Sequence, residues 1–248
     1  SFQSRYNAIE PEEVTIRLYE NIANGSGLDI SLMGDFQDYE DERNYDVIKE
    51  IYAHHKKFES YFGRYTSTAR VVVVAPGSWP SGEAAQEYRG IQLMLKEAHI
   101  QFDIIEDSQL GNLKEKLGSY RVIILPEITR LDNAAIEALT TASQQGTNLI
   151  ATNRSLGEQP DVLLKLFGAK PVQTDHDGAG YYVNPDNKTL FKRFNQQKLL
   201  FWKFNLGLYD FSEADSRTLP IFTPGRPGPP EIIGGHEPTG YFAMGIRN

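Results

Sequence analysis

The protein has 248 residues, a formal net charge of −8 and no cysteine. A chain of this length can bury a sizeable core, and the lack of cysteine excludes disulfides, thiolate metal sites and a cysteine nucleophile. Its Lys and Arg residues are scattered and no apolar run could span a bilayer, so we expect neither a nucleic-acid nor a membrane partner. These features do not indicate the cellular compartment of the protein.

Residues 1–66 are predicted to form a helix-strand-helix segment. Pro11 marks the start of a helix that should stop at "NGSG", where glycine supplies the positive φ. "LDISLMG" (28–34) then predicts a short strand, and the apolar spacing over 45–62 predicts a long helix ending at Gly63. Because a lone strand leaves its backbone groups unpaired, we expect this segment to pack against another part of the protein.

Residues 67–248 are predicted to form an α/β domain. Four apolar runs, over 70–75, 102–105, 121–125 and 147–152, alternate with helical patterns. Asp132 is placed to cap the third of these helices and Gly146 to end it. Such alternation with short loops predicts a flavodoxin-like, doubly wound parallel sheet with strand order 2-1-3-4.

The C-terminal region, the last 78 residues, is predicted to be irregular. The aromatic-rich run over 199–211 has too uneven a period to assign. Residues 223–240 hold five Pro and five Gly, which favours a loop because proline removes amide donors. Residues 240–246, "GYFAMGI", predict a strand.

A family resemblance emerges from "IANGSGLDISLMGDFQDYEDERNYDVIKEIYAHHKKFESYF" followed by "VVVVAPGS". These runs resemble the junction between the (β/α)₈ barrel and the next domain in β-galactosidase-like glycoside hydrolases of family forty-two. The domain that follows resembles the β-galactosidase trimerisation domain, which has a class I glutamine amidotransferase-like fold of flavodoxin type. The resemblance covers most of residues 15–170. It implies that 28–34 is the last barrel strand, that 45–62 is the last barrel helix, and that the first seven barrel units are absent.

The same resemblance implies that no residue here is catalytic. Retaining glycosidases use two carboxylates, and in this family both lie on earlier barrel strands. The amidotransferase nucleophile would fall near residues 152–155, where Ser155 could in principle stand in for cysteine. Its candidate base, His236, departs from the family spacing, so we interpret this elbow as structural. We expect no cofactor and no metal site.

A ligand, if one binds, should lie beyond the carboxyl ends of the parallel strands, where the strand order reverses. The residues expected there are Ser78, Trp79, Glu127, Asn153 and Arg154. Trp79 offers a ring on which a sugar could stack, and the other side chains offer hydrogen bonds to hydroxyls. The competing interpretation is that Trp79 packs against the helix over 45–62 and that Arg154 pairs with Glu127.

Three functional hypotheses follow. The leading one is a non-catalytic assembly or accessory portion of a β-galactosidase-like protein, with carbohydrate as a possible ligand. The alternatives are a carbohydrate-active hydrolase in its own right and a flavodoxin-type small-molecule binding module. Because a small sheet domain should not expose so much apolar surface, we also expect a homo-oligomer, dimer or trimer, or association with the missing barrel.

Overall fold

The computed structural model describes residues 8–31, 41–62, 65–77, 82–174, 181–194, 199–202, 207–222 and 237–248. Contacts divide the chain into two units, Ser1–Ser67 and Thr68–Asn248. None of the helices over the described residues combines the length and the apolarity needed to cross a membrane. Each unit is built around its own hydrophobic core.

The described residues of the first unit form two helices, α1 (Pro11–Ala23) and α2 (Arg43–Lys57). Proline in the first turn has a φ angle suited to a helix start and lacks an amide that would go unpaired there, so α1 begins at Pro11 as predicted. The chain leaves α1 through Gly25, whose φ of 75° needs a glycine. The buried core of this unit consists of Val14, Leu18, Ile22 and Ile51.

Two predictions for this unit are not met. Residues 28–31 form no strand, although Leu28 and Ile30 contact the core; residues 32–34 lie outside the described residues. Helix α2 stops at Lys57 instead of reaching residue 62, because the Phe58 amide is shared between the carbonyls of His54 and His55. Such three-centre bonds are common where a helix ends.

The second unit is centred on a parallel sheet of four strands: β1 (Val71–Ala75), β2 (Phe102–Glu106), β3 (Val122–Pro126) and β4 (Asn148–Thr152). Their order is β2-β1-β3-β4, and every adjacent pair is parallel. The predicted strands and their order are confirmed. The two strands with the longest apolar runs, β1 and β3, lie at the centre, where both of their faces are covered.

Helices cover both faces of this sheet: α3 (Gly82–Glu97), α4 (Lys114–Leu117), α5 (Asn133–Gln144) and α6 (Pro160–Phe167). Successive strand residues point to opposite faces. Val72 therefore packs in the cluster that contains Leu139 of α5, whereas Val73 packs against Ile91 of α3. The arrangement is a doubly wound α/β sheet.

The predicted signals at the ends of α5 are both present. The Asp132 carboxylate accepts a hydrogen bond of 2.7 Å from the Ala135 amide and so caps the first turn. Gly146 follows the helix with a φ of 98°. These two residues set where α5 starts and where the chain turns into β4.

The described part of the C-terminal region is not irregular, contrary to the prediction. Strands β5 (Lys170–Thr174) and β8 (Gly207–Asp210) form an antiparallel pair. The others form a second antiparallel sheet of order β10-β9-β6-β7. They are β6 (Tyr181–Val183), β7 (Leu200–Trp202), β9 (Ser216–Phe222) and β10 (Pro238–Ile246).

The strand predicted over 240–246 is confirmed within β10, whereas strands as short as β6 and β7 gave no signal in the sequence. A strand of three residues, such as β6, is too brief to show a period of two. The loop predicted over 223–240 is wrong at Pro238–Gly240, which open β10; residues 223–236 lie outside the described residues. Proline and glycine are tolerated there because β10 is an edge strand.

The C-terminal end of helix α6 is capped by a residue far along the chain. Arg247 donates from Nη1 to the carbonyl oxygens of Leu164 at 2.6 Å and Lys165 at 2.8 Å. A cation is favourable at this end of a helix, where carbonyl groups lack intrahelical partners. Gly168, with a φ of 64°, then ends the helix.

Candidate functional site at the carboxyl ends of the parallel strands

Three of the five predicted ligand-binding residues meet at the carboxyl ends of β3 and β4. Glu127 directly follows β3, and Asn153 and Arg154 directly follow β4. Because Pro126 pairs with Thr152 at the ends of these strands, the residues that come next emerge side by side. Ser78 and Trp79 lie outside the described residues.

An ion pair holds this edge together. The Arg154 guanidinium donates to Glu127 Oε1 from Nε at 2.6 Å and also from Nη2. Asn153 Nδ2 lies 3.2 Å from the second carboxylate oxygen. The Glu127 side chain is 2% exposed and the Arg154 side chain 40% exposed. Burying an unpaired carboxylate would be costly, so these three donors make the buried charge tolerable.

The backbone is unusual at the same place. Glu127 has a φ of 52° and Asn153 a φ of 46°, both in the left-handed region. Asparagine visits this region readily, whereas glutamate does so uncommonly. A left-handed residue other than glycine costs on the order of 1–3 kcal/mol, and residues of this kind cluster at ligand sites and switch regions.

Tyr209 completes the site from outside the parallel sheet. This residue of β8 donates its hydroxyl to the Asn153 carbonyl oxygen at 2.6 Å. Burial raises the pKa of the Tyr209 hydroxyl above its usual 10.0; Arg154 opposes the change and Glu127 adds to it. No signal in the sequence points to this contact. Tyr209 lies 56 positions from Asn153, in an aromatic-rich run whose apolar residues follow no regular period.

Replacing Tyr209 with phenylalanine should lower the free energy of unfolding by about 1 kcal/mol at pH 7, because one hydrogen bond is lost. The raised pKa of Tyr209 means that its stabilising effect is complete below pH 10.0, the usual value for tyrosine. It is lost as the pH rises through the pKa of the folded state. Urea unfolding from pH 7 to 11 should therefore show the two proteins converging at alkaline pH. A constant difference would contradict the assignment.

Ser155, the candidate nucleophile, has a different role in this structure. It is 2% exposed. Its hydroxyl donates to the Leu125 carbonyl at 2.6 Å and accepts from the Ile128 amide at 3.1 Å. Its candidate base, His236, lies outside the described residues. In this geometry the Ser155 hydroxyl ties the turn after β4 to the end of β3.

Two polar atoms at this edge are buried without a hydrogen-bond partner: Thr152 Oγ1 and Asn153 Oδ1. Buried polar atoms are usually satisfied, and an exception can mark a place for a water molecule or a ligand group. Over the described part of the chain, no three His, Asp or Glu side chains cluster as a metal site would require.

An open cavity of about 430 Å³ adjoins the same loops. It is lined by Arg130, Leu131, Asp132, Asn133 and Gln159. The Gln159 amide pairs with the Leu131 backbone through bonds of 2.8 and 2.9 Å, which fixes one wall. No pattern in the sequence points to this cavity, although the first four of its lining residues follow β3 at the predicted edge.

Solved structures of low sequence identity share this fold. Alpha-L-fucosidase isoenzyme 2 from Paenibacillus thiaminolyticus matches with a TM-score of 0.66 and 14% identity, over 95% of this chain and 36% of its own. The GH42 beta-galactosidase Gan42B matches with a TM-score of 0.53 and 19% identity, over 88% of this chain and 36% of its own. A putative ThuA-like protein from Bacteroides uniformis matches with a TM-score of 0.51 and 15% identity, over 74% of this chain and 85% of its own.

A scan against protein-family models and a search of the curated proteins both gave no match. At these identities the structural likeness establishes the fold alone. The chain spans 36% of the length of each of the two glycosidases. Its fold is a ThuA-like, flavodoxin-like α/β fold of the kind found within glycoside hydrolase-related proteins.

Proposed function

We propose that this chain is a non-catalytic accessory and assembly portion of a glycoside hydrolase-related protein. The observation that carries the proposal is the network of paired side chains at the carboxyl ends of β3 and β4. There Glu127 accepts hydrogen bonds from Arg154 and Asn153, and Ser155 is bonded to backbone on both sides. Side chains used in this way hold loops in place.

Glycoside hydrolysis would need a different arrangement. A retaining glycosidase places two carboxylates about 5 Å apart, one as acid and base and one as nucleophile. At this edge Glu127 is paired with arginine, and the nearby Asp132 caps α5. A serine nucleophile would need a base to take its proton, yet the Ser155 hydroxyl already donates to a carbonyl.

An assembly role is supported by the face of the parallel sheet that carries α3. Ile104 of β2 pairs with Val73, and Ile150 of β4 pairs with Ile124, so both isoleucines point to that face. Both are exposed, one on each edge strand, as is Met94 of α3 itself. Exposed apolar side chains on one face are typical of interfaces. We infer that a second copy of the chain covers this face.

The purified chain should therefore sediment as a dimer or trimer and should not hydrolyse aryl glycosides above the buffer rate. Replacing Ile104 and Ile150 together with aspartate should shift the sedimentation coefficient to that of a monomer, because charges would oppose burial of this face. Replacing Leu190, an exposed leucine of the C-terminal region, with aspartate is the matched control and should leave assembly unchanged.

Each of the following two results would contradict one part of the proposal. Hydrolysis of an aryl galactoside or fucoside that survives repurification would show that the chain is an enzyme in its own right. A protein that stays monomeric from micromolar to hundred-micromolar concentration would remove the assembly role.

A further inference from the structure

A row of apolar side chains crosses the whole C-terminal antiparallel sheet. Tyr182 of β6 lies directly opposite Phe201 of β7 on one side and Phe222 of β9 on the other. Phe222 in turn lies opposite Pro238 of β10. Residues directly opposite each other in a sheet share a face. We call Phe201, Tyr182, Phe222 and Pro238 the aromatic row.

The row rests on a packed support. The neighbouring cross-strand row is formed by Leu200, Val183 and Ile221, which point to the other face because side chains alternate along a strand. Val183 and Ile221 are buried together with Leu208. The Tyr182 and Phe201 rings lie 5.2 Å apart at 47°. The rings are thus held in place before any ligand arrives.

The exposed area of the row suits a small ligand. Phe201 is 54% exposed, and Tyr182 and Phe222 are half-buried. A Phe or Tyr side chain offers roughly 150–250 Å² in total, so the row presents on the order of 200 Å². A stable protein interface uses about 800 Å² on each partner. The row alone is too small for a protein partner.

Among ligands that stack on rings, the charge of the site favours a neutral one. Surfaces that stack nucleic-acid bases combine aromatic rings with a positively charged groove. The aromatic row contains no charged side chain, and the protein carries a net charge of −8. A cage of rings around the cation is the usual site for a small organic cation, whereas these rings stand side by side. A sugar fits such a surface, because its ring presents C–H bonds on one side and hydroxyl groups at its edges.

We propose that the aromatic row is a binding platform for a neutral oligosaccharide. The proposal rests on the accessory function proposed above and names its ligand class. A platform of exposed rings tolerates different sugars, because every pyranose has such a face. Affinity should come from stacking on several rings in series, so chains of several sugars should bind and monosaccharides should bind poorly.

Native affinity gel electrophoresis of the full chain tests the platform, with galactomannan, glucomannan, xyloglucan or mixed-linkage β-glucan cast into the gel. We expect retardation by at least one of these neutral polysaccharides. Replacing Phe201 with alanine should weaken the apparent affinity about five- to tenfold, the effect expected for losing one stacked ring. Replacing Phe194, which is 37% exposed and lies in a short helical turn outside the sheet, with alanine should leave retardation unchanged.

Several outcomes would overturn the platform. These are no retardation in any of the four gels, equal retardation of the Phe201→Ala variant, and retardation by single-stranded DNA in place of polysaccharide. If Phe201→Ala melts at a lower temperature, Phe201→Leu repeats the test, because leucine keeps the apolar volume and removes the ring. If the chain neither binds polysaccharide nor hydrolyses glycosides, the platform is wrong and the accessory function is still supported. If the chain hydrolyses glycosides, the accessory function is wrong, whatever the gels show.

Discussion

Replacing Arg154 with alanine is expected to lower the free energy of unfolding by about 2–4 kcal/mol. The change removes both arginine hydrogen bonds to the buried Glu127 carboxylate and leaves Asn153 as its donor in the described structure. Breaking a buried ion pair costs about 3–5 kcal/mol, because the partner charge is left without compensation. The 40% exposure of the Arg154 side chain reduces that loss, since water screens part of the attraction. Urea unfolding at pH 7 measures the difference.

A second substitution separates the ion pair from simple packing. Adding Glu127→Gln to Arg154→Ala should recover at least half of the lost stability, because a buried amide costs less than a buried carboxylate. The two single variants and the double variant form a cycle that yields the coupling energy. Arg130→Ala, in the loop after β3, is the matched control and should change stability by less than about 0.5 kcal/mol. Additive effects would mean that Glu127 and Arg154 do not act as a pair.

Replacing Ser155 with alanine is the second large effect, a loss of about 2–4 kcal/mol. Alanine fits the space but leaves the Leu125 carbonyl and the Ile128 amide without their hydroxyl partner. Each buried backbone group left unpaired costs about 1–3 kcal/mol. Thermal and urea unfolding should both record the loss.

The matched control for this serine is Ser119. Its hydroxyl also bonds a backbone carbonyl, that of Lys116 at 2.7 Å, but in an exposed turn where water can replace it. Ser119→Ala should therefore be nearly neutral. If Ser155→Ala proved fully stable while abolishing a hydrolytic activity of the chain, Ser155 would be a nucleophile and the structural interpretation would be wrong.

The parallel sheet was predictable from sequence because its signals are local. Runs such as Val71–Ala75 are apolar throughout, as strands covered on both faces must be, and the helices between them carry caps such as Asp132. Short loops then restrict the topology to few choices. The antiparallel sheet lacked such signals, because β6 and β7 have three residues each and their partners are distant in sequence.

The candidate site was predictable in place and less so in detail. The rule that ligand-binding residues follow parallel strands at the switch point selected Glu127, Asn153 and Arg154. The sequence allowed two interpretations, a ligand site or an Arg154–Glu127 pair. Three-dimensional geometry was needed to show the pair. The contact from Tyr209 depends on how the C-terminal strands return to the sheet, and no local sequence pattern indicates a left-handed backbone at Glu127.

The Arg247 contact also bears on the order in which the chain acquires its structure during synthesis. The carbonyl of Leu164 and the arginine that binds it are separated by 83 positions. At a translation rate of about 5–20 residues per second, roughly 4–17 seconds pass between the synthesis of the helix end and that of its cap. During this interval the last turn of α6 lacks this cap, and its carbonyl groups are left to hydrogen-bond with water.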